Sequence, residues 1–179
     1  VGTILSMLFT CSISYAMSVK KLAIRGGIAM FIYLTMLFNG GLVANYLMIT
    51  KFLHLKNSIW VLILPSMVNA YNCLLMRNFF NGVPASLAES AKIDGANDIK
   101  ILFRIILPVS TPGIATIGLF YALAYWNEWY KVLLYISSEK LYTLQYLIMS
   151  ILRKVNYAST LPAANLTGQE TLPTYGFRM

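Results

Sequence analysis

Glu89, Asp94 and Asp98 put half of the chain's six acidic residues into one short stretch. Their setting is Pro84-Ala85-Ser86-Leu87-Ala88-Glu89-Ser90-Ala91-Lys92-Ile93-Asp94-Gly95. The chemistry this offers is docking, with charge-assisted contacts around a small apolar patch. Pro84 suits a first-turn position, where its missing N–H costs nothing, and Gly95 suits the left-handed residue just past a helix end. Leu87, Ala91 and Asp94 share one face of the helix between them, as do Ala88 and Lys92. Ala88 and Ala91 are small enough to let another backbone approach closely. Asn97 then caps a second short helix, with Ile99, Phe103 and Ile106 at helical spacing. Two amphipathic helices joined by glycine form a surface that can enter a groove. A helix resting on lipid headgroups is the competing reading, and anionic lipid would repel the three carboxylates.

Reactive chemistry is absent from the pattern. No Gly-rich phosphate loop, catalytic triad or metal-ligand spacing occurs, so no catalytic residue and no metal site is expected. Cys11 and Cys73 lie inside apolar runs and form no CxxC pair. His54 reads as a solvated loop residue. The 14 basic residues give a net charge of +8, but they are scattered singly or in pairs. They draw no basic face for nucleic acid.

The elements that must carry the docking loop are long uncharged runs. The chain is 58% hydrophobic and 11% charged, against about 25% charged for an ordinary soluble domain. Runs near 1–19, 26–50 (interrupted by Asn39-Gly40-Gly41), 57–76 (with a kink expected at Pro65) and 109–136 each have about the length that crosses a hydrocarbon core as a helix. Helices are the natural form, because in lipid each backbone group must be paired within its segment. The first run lacks the basic n-region of a signal peptide. Both ends look cut, and one further span on each side is expected. Basic residues favour the side holding Lys20, Lys21, Arg25, Arg77, Lys92, Lys100 and Arg104 over that holding Lys51, Lys56, Lys140, Arg153 and Lys154. This is a slight positive-inside bias.

The stretch from Glu89 to Pro108 resembles the EAA loop of ABC importer permeases: Glu89-Ser90-Ala91, three residues, Gly95, then Ile105-Ile106-Leu107-Pro108. Ser90 stands where alanine is usual, a change that keeps the residue small. Ile93-Asp94-Gly95-Ala96 is similar to the form in the maltose-type carbohydrate uptake subfamily. Ser14-Tyr15-Ala16-Met17-Ser18, Leu62-Ile63-Leu64-Pro65, Met76-Arg77-Asn78-Phe79-Phe80 and Trp126-Asn127-Glu128 have counterparts there too.

The resemblance implies an all-α integral membrane protein, a multi-span helical bundle of the type I ABC importer permease kind, incomplete at both ends. It implies one permease domain over 1–179, with a cytoplasmic coupling loop at 81–108 and an external segment at 137–172. Pro84, Leu87, Glu89, Ser90, Ala91, Asp94, Gly95 and Pro108 would form the coupling loop. Glu89 would contact the ATPase and Gly95 would set the helix angle, while Asp94 either meets the partner or caps locally. Partners implied are two cytoplasmic ATP-binding subunits, a second permease subunit, an extracytoplasmic solute-binding protein, a carbohydrate and the lipid bilayer. ATP and Mg belong to the ATPase, and no cofactor is expected on this chain. The cell membrane of a bacterium is the implied location.

Candidate pathway residues are Asn69, Tyr71 and Asn72, which follow Pro65, and Tyr125, Trp126, Asn127 and Glu128. Aromatic faces stack on sugar C–H surfaces, and amides and carboxylates bind hydroxyls. Other readings stand beside this one: helix–helix hydrogen bonding for Asn69 and Asn72, an aromatic belt including Trp129 and Tyr130, and pairing of Glu128 with Lys131.

Overall fold

A computed structural model describes residues 1–19, 22–38 and 40–160. Among these residues the regular structure is helical throughout. Helix α1 (Gly2–Ser18) is followed by α2 (Arg25–Leu37) and by α3 (Gly41–Leu47), which runs into a π-helical turn at Met48–Phe52. Next come α4 (Trp60–Ile63), a 3-10 turn at Leu64–Ser66, and α5 (Ala70–Asn81). The docking stretch holds α6 (Ala85–Ile93), α7 (Asp98–Ile101), a π-helical turn at Leu102–Ile106 and α8 (Leu107–Val109). The remainder is α9 (Thr111–Trp126), α10 (Tyr130–Tyr135), a 3-10 turn at Glu139–Leu141 and α11 (Leu144–Thr160).

Helix α1 lies against α5 and α9 and touches α2. Its inward side carries three fully buried hydroxyls, Ser6, Thr10 and Ser14, beside Cys11 and Met17, while Ile4, Leu8 and Phe9 are exposed. Small hydroxyl residues let helices approach closely and hydrogen-bond across the contact. Accordingly, the Ser14 hydroxyl donates to the Cys73 carbonyl of α5 at 2.8 Å. The largest core gathers Cys11, Met76, Phe80, Ala91, Ile101, Leu102, Ile106, Ile117 and Tyr121. It therefore joins α1, α5 and α9 to the docking helices. A second core, with Ile49, Val61, Leu62, Val132, Tyr135 and Ile136, binds the π turn after α3 to α4 and α10.

The uncharged runs are broken. Among the described residues no single helix is long and apolar enough to cross a membrane. Arg25–Leu37 with Gly41–Phe52, and Asp98–Val109 with Thr111–Trp126, reach that length and composition only as pairs, bent by 115° and 88°. The run at 26–50 divides before Gly41, whose φ of +75° is a conformation other residues avoid. The run at 57–76 breaks after Pro65, which has no N–H for the ladder and forces a tighter turn. Helix α5 restarts at Asn69, whose Oδ1 accepts the Asn72 N–H at 3.1 Å, the standard way to meet an orphan donor of a first turn. The run at 109–136 starts after a bend at Ser110, with Pro112 in the opening turn of α9, and pauses again before α10. The external segment expected at 137–172 is helical through α11, and 161–172 lies outside the described residues.

Asn57 closes the end of the bundle that holds α4 and α10. At φ 59° its N–H donates to the Tyr135 carbonyl at 2.9 Å. Its Oδ1 accepts from the Ser137 and Ser138 amides at 3.2 and 2.9 Å. Nearby, Arg153 of α11 lies 5.0 Å over the Trp129 ring. That cation–π contact places Trp129 at a helix junction.

Candidate functional site

The docking stretch folds as a helix–turn–helix closed by backbone chemistry. Gly95 has φ +77°. The Ala96 N–H donates to the Ala91 carbonyl at 2.9 Å and the Gly95 N–H to the Lys92 carbonyl at 3.1 Å. This bond pair is a Schellman closure, and the apolar contact that usually accompanies it is present, since Ala91 and Ala96 share the main core. Asp94 is the C-cap residue. Asn97 then opens α7, its Oδ1 accepting from the Ile99 and Lys100 amides at 2.7 and 3.2 Å. Across the turn, Lys92 Nζ pairs with Asp98 Oδ1 at 2.7 Å, and the Tyr15 hydroxyl of α1 donates to the same oxygen at 3.4 Å.

Pro84 stands one place earlier than its spacing predicted. With ψ 127° it is the N-cap, and α6 begins at Ala85. The two alanines also find a different neighbour. Ala91 is 8% exposed and Ala88 half-buried, both against the core that includes Ile101, Leu102 and Ile106. Both alanines thus face the chain's own core, and α6 rests on the π-helical turn at Leu102–Ile106. Leu87, Glu89, Ser90, Asp94 and Pro108 are exposed. So is Ile93, at 87%, with Ile99 and Phe103 continuing the apolar surface. Ile93 was legible only as an apolar residue on neither expected face, and that mismatch was its signal.

A groove of about 430 Å³ lies where the stretch joins the bundle, lined by Leu75, Phe79, Val83, Ser110 and Pro112 among others. Beside it, α5 and α9 are in tight contact. A Cβ added at Gly113 would come within 2.6 Å of Phe79 Cγ.

The pathway candidates line neither of two grooves found among the described residues. The second groove, about 280 Å³, is lined by Asn45, Pro65, Tyr130, Lys131 and Tyr135 with apolar neighbours, and by none of the seven candidates. Asn69 caps α5 and Asn72 is buried beneath it. Tyr71 and Trp126 are exposed, Trp126 to 64%, as is Asn127. The Tyr125 hydroxyl pairs with Ser6 Oγ at 2.9 Å and donates to the Ile63 carbonyl at 3.2 Å. Glu128 holds Lys131 by an ion pair and accepts the Lys131 N–H at 3.1 Å, so its carboxylate starts α10. Sequence reasoning missed Ser6 and Thr10, although with Ser14 they repeat every fourth residue, the spacing of one helix face.

The profile of a family described as binding-protein-dependent transport system inner membrane component matches residues 3–168. The polygalacturonan/rhamnogalacturonan transport system permease protein YtcP of Bacillus subtilis (strain 168) is 43% identical over 151 residues, covering 84% of this chain and 52% of that protein. Protein LplC of the same organism is 39% identical over 165 residues, 92% of this chain and 54% of that one. The arabinooligosaccharides transport system permease protein AraQ of Halalkalibacterium halodurans is 30% identical over 146 residues, 79% of this chain and 51% of that one. This chain therefore spans about half the length of these relatives. A crystal structure of a bacterial ABC transporter involved in the import of the acidic polysaccharide alginate contains a similar chain. Its TM-score is 0.78 at 30% identity, over 95% of this chain and 60% of that one.

Proposed function

This chain belongs to the binding-protein-dependent transport system inner membrane component family, and from that premise we propose that it forms half of the translocation pathway of an ATP-driven importer for sugars or oligosaccharides. The observation that carries the reading is the exposed face of α6 and α7. Leu87, Ile93, Ile99 and Phe103 stand out from the bundle beside Glu89 and Asp94, while the opposite side is fixed to α1, α5 and α9 by core packing. Such an element can be gripped from outside and can move the bundle from within. Its occupant is a cytoplasmic ATP-binding subunit, one of two, which supplies ATP and Mg; this chain hydrolyses nothing.

The bilayer is the solvent that suits α1, which buries three hydroxyls and turns Ile4, Leu8 and Phe9 outward. On this reading the chain is a multi-pass bundle with broken spans, the docking loop is cytoplasmic, and α11 faces the solute-binding protein. A second permease subunit completes the pathway. The carbohydrate class rests on the names of the relatives, which concern polygalacturonan, rhamnogalacturonan and arabinooligosaccharides.

The test is co-purification of the full-length protein with its ATP-binding subunit, comparing wild type with Glu89→Lys and Ile93→Asp. Wild type should capture the ATPase and both variants should release it, with the permease still extracted from membranes in normal yield. Equal capture by all three would remove the docking role from this loop.

A further inference from the structure

The break between α4 and α5 is held by two hydroxyl groups from α9. After Pro65 the chain tightens, and the Met67 N–H bonds the Leu64 carbonyl at 3.2 Å. The Ile63 carbonyl, at the mouth of this turn, accepts the Tyr125 hydroxyl at 3.2 Å. Asn69 is extended, at φ −109° and ψ 121°, which takes its N–H out of the α5 ladder. That N–H donates to Tyr121 Oη at 3.2 Å. Each hydroxyl also meets α1: Tyr121 pairs with Thr10 at 2.7 Å and Tyr125 with Ser6 at 2.9 Å. Both pairs are one helical turn apart, so two rungs stack and bracket the break. Lys131 Nζ adds a third tie, donating to Ser66 Oγ while paired with Glu128.

The contacts of α9 change in kind along its length. At its start Gly113 lies under the Phe79 ring too closely to admit a side chain, which locks α9 to α5 by apolar packing. At the break the rings of Tyr121 and Tyr125 also pack on the core, but the ties to the broken backbone itself are single hydrogen bonds, each of modest net strength and each exchangeable for another partner. The docking segment Asp98–Val109 meets α9 at 88°, the geometry of a lever arm.

We propose that Tyr121 and Tyr125 are positioning residues that latch this break, and that the break is the hinge through which movement of the docking loop reaches the outer half of the pathway. The inference rests on the importer reading. The latch holds while α9 keeps its present depth, and it opens when the lever shifts both hydroxyls away from Ile63 and Asn69.

The test uses the complete transporter, with both permease subunits, ATPase and solute-binding protein, in lipid nanodiscs. Tyr121→Phe, Tyr125→Phe and the double variant are compared with wild type and with Ser12→Ala, whose outward hydroxyl only bonds its own helix. Two quantities are read: hydrogen–deuterium exchange over 64–69, and ATP hydrolysis with and without sugar-loaded binding protein. The expected result is exchange faster by roughly threefold to tenfold in the variants, the size of one lost hydrogen bond. ATP hydrolysis without binding protein should rise by a similar factor, while Ser12→Ala matches wild type. Unchanged exchange overturns the latch. Faster exchange with unaltered coupling overturns the hinge and leaves the tyrosines as packing residues. If wild-type hydrolysis ignores the loaded binding protein, the importer reading fails and takes the coupling role with it; the exchange data still decide whether the latch exists.

Discussion

Gly95 is the residue on which the docking loop turns, because its φ of +77° lies where a side chain meets the following carbonyl. A residue other than glycine pays about 1–2 kcal/mol there, and a β-branched one is a steric outlier. Gly95→Val should therefore weaken ATPase capture by about tenfold or more, whereas asparagine, which visits this region, should stay within about threefold. Titrating the ATPase against detergent-solubilised permease reads both values. If valine were accepted as readily as asparagine, the angle between α6 and α7 would not matter for docking. Ala91 and Ile93 show how two neighbouring residues divide the work. One is buried against the bundle and the other stands almost free, so on the proposed docking role substitutions at Ala91 should act through folding and those at Ile93 through the partner.

Helices α6 and α7 are tied together by contacts of unequal strength. The Lys92–Asp98 pair is 37% and 58% exposed, and pairs in that setting contribute roughly 0–1 kcal/mol. The Asn97 cap meets two backbone amides that have no helical partner, and removing such a cap costs about 1 kcal/mol. Hydrogen exchange over residues 98–106 should accordingly rise more in Asn97→Ala than in Asp98→Asn. The reverse order would make the ion pair the main tie.

Asn97 and Gly95 were legible in the sequence because a cap and a left-handed turn are local chemistry. The inward direction of Ala91 was not, since two small residues on a short helix fit either side equally well. Pro65 and Asn39-Gly40-Gly41 marked interruptions, but the bend near Ser110 needed the packing of α9 on Phe79 to define it. The pathway candidates were chosen for sugar-binding chemistry. In the structure Asn69 caps α5, Tyr125 bridges α1 to the α4 turn and Glu128 starts α10, roles that depend on tertiary neighbours.

For the molecule as a whole, polarity runs inside out along α1. Ser6, Thr10 and Ser14 are buried while Leu8 and Phe9 face outward, a distribution that suits hydrocarbon outside. Leu8→Lys should therefore lower the yield of membrane-inserted protein, since a lysine near the centre of a spanning helix costs about 2.5–3.5 kcal/mol. Fractionation of membranes after expression reads the loss, and an undiminished yield would mean that this face meets water.

The π-helical turn at Leu102–Ile106 carries a further consequence, for loop length. A π turn holds one residue more than an α turn, and each residue of an α-helix advances the winding by about 100°. The turn has thus already absorbed one extra residue, and a further insertion there would rotate the α6–α7 unit, carrying Asp98 away from Tyr15 while Lys92, on the same side of the turn, keeps its pair with Asp98. The spacing from Gly95 to Pro108 is thus set by angular phase, and the segment tolerates a changed side chain more readily than a changed count.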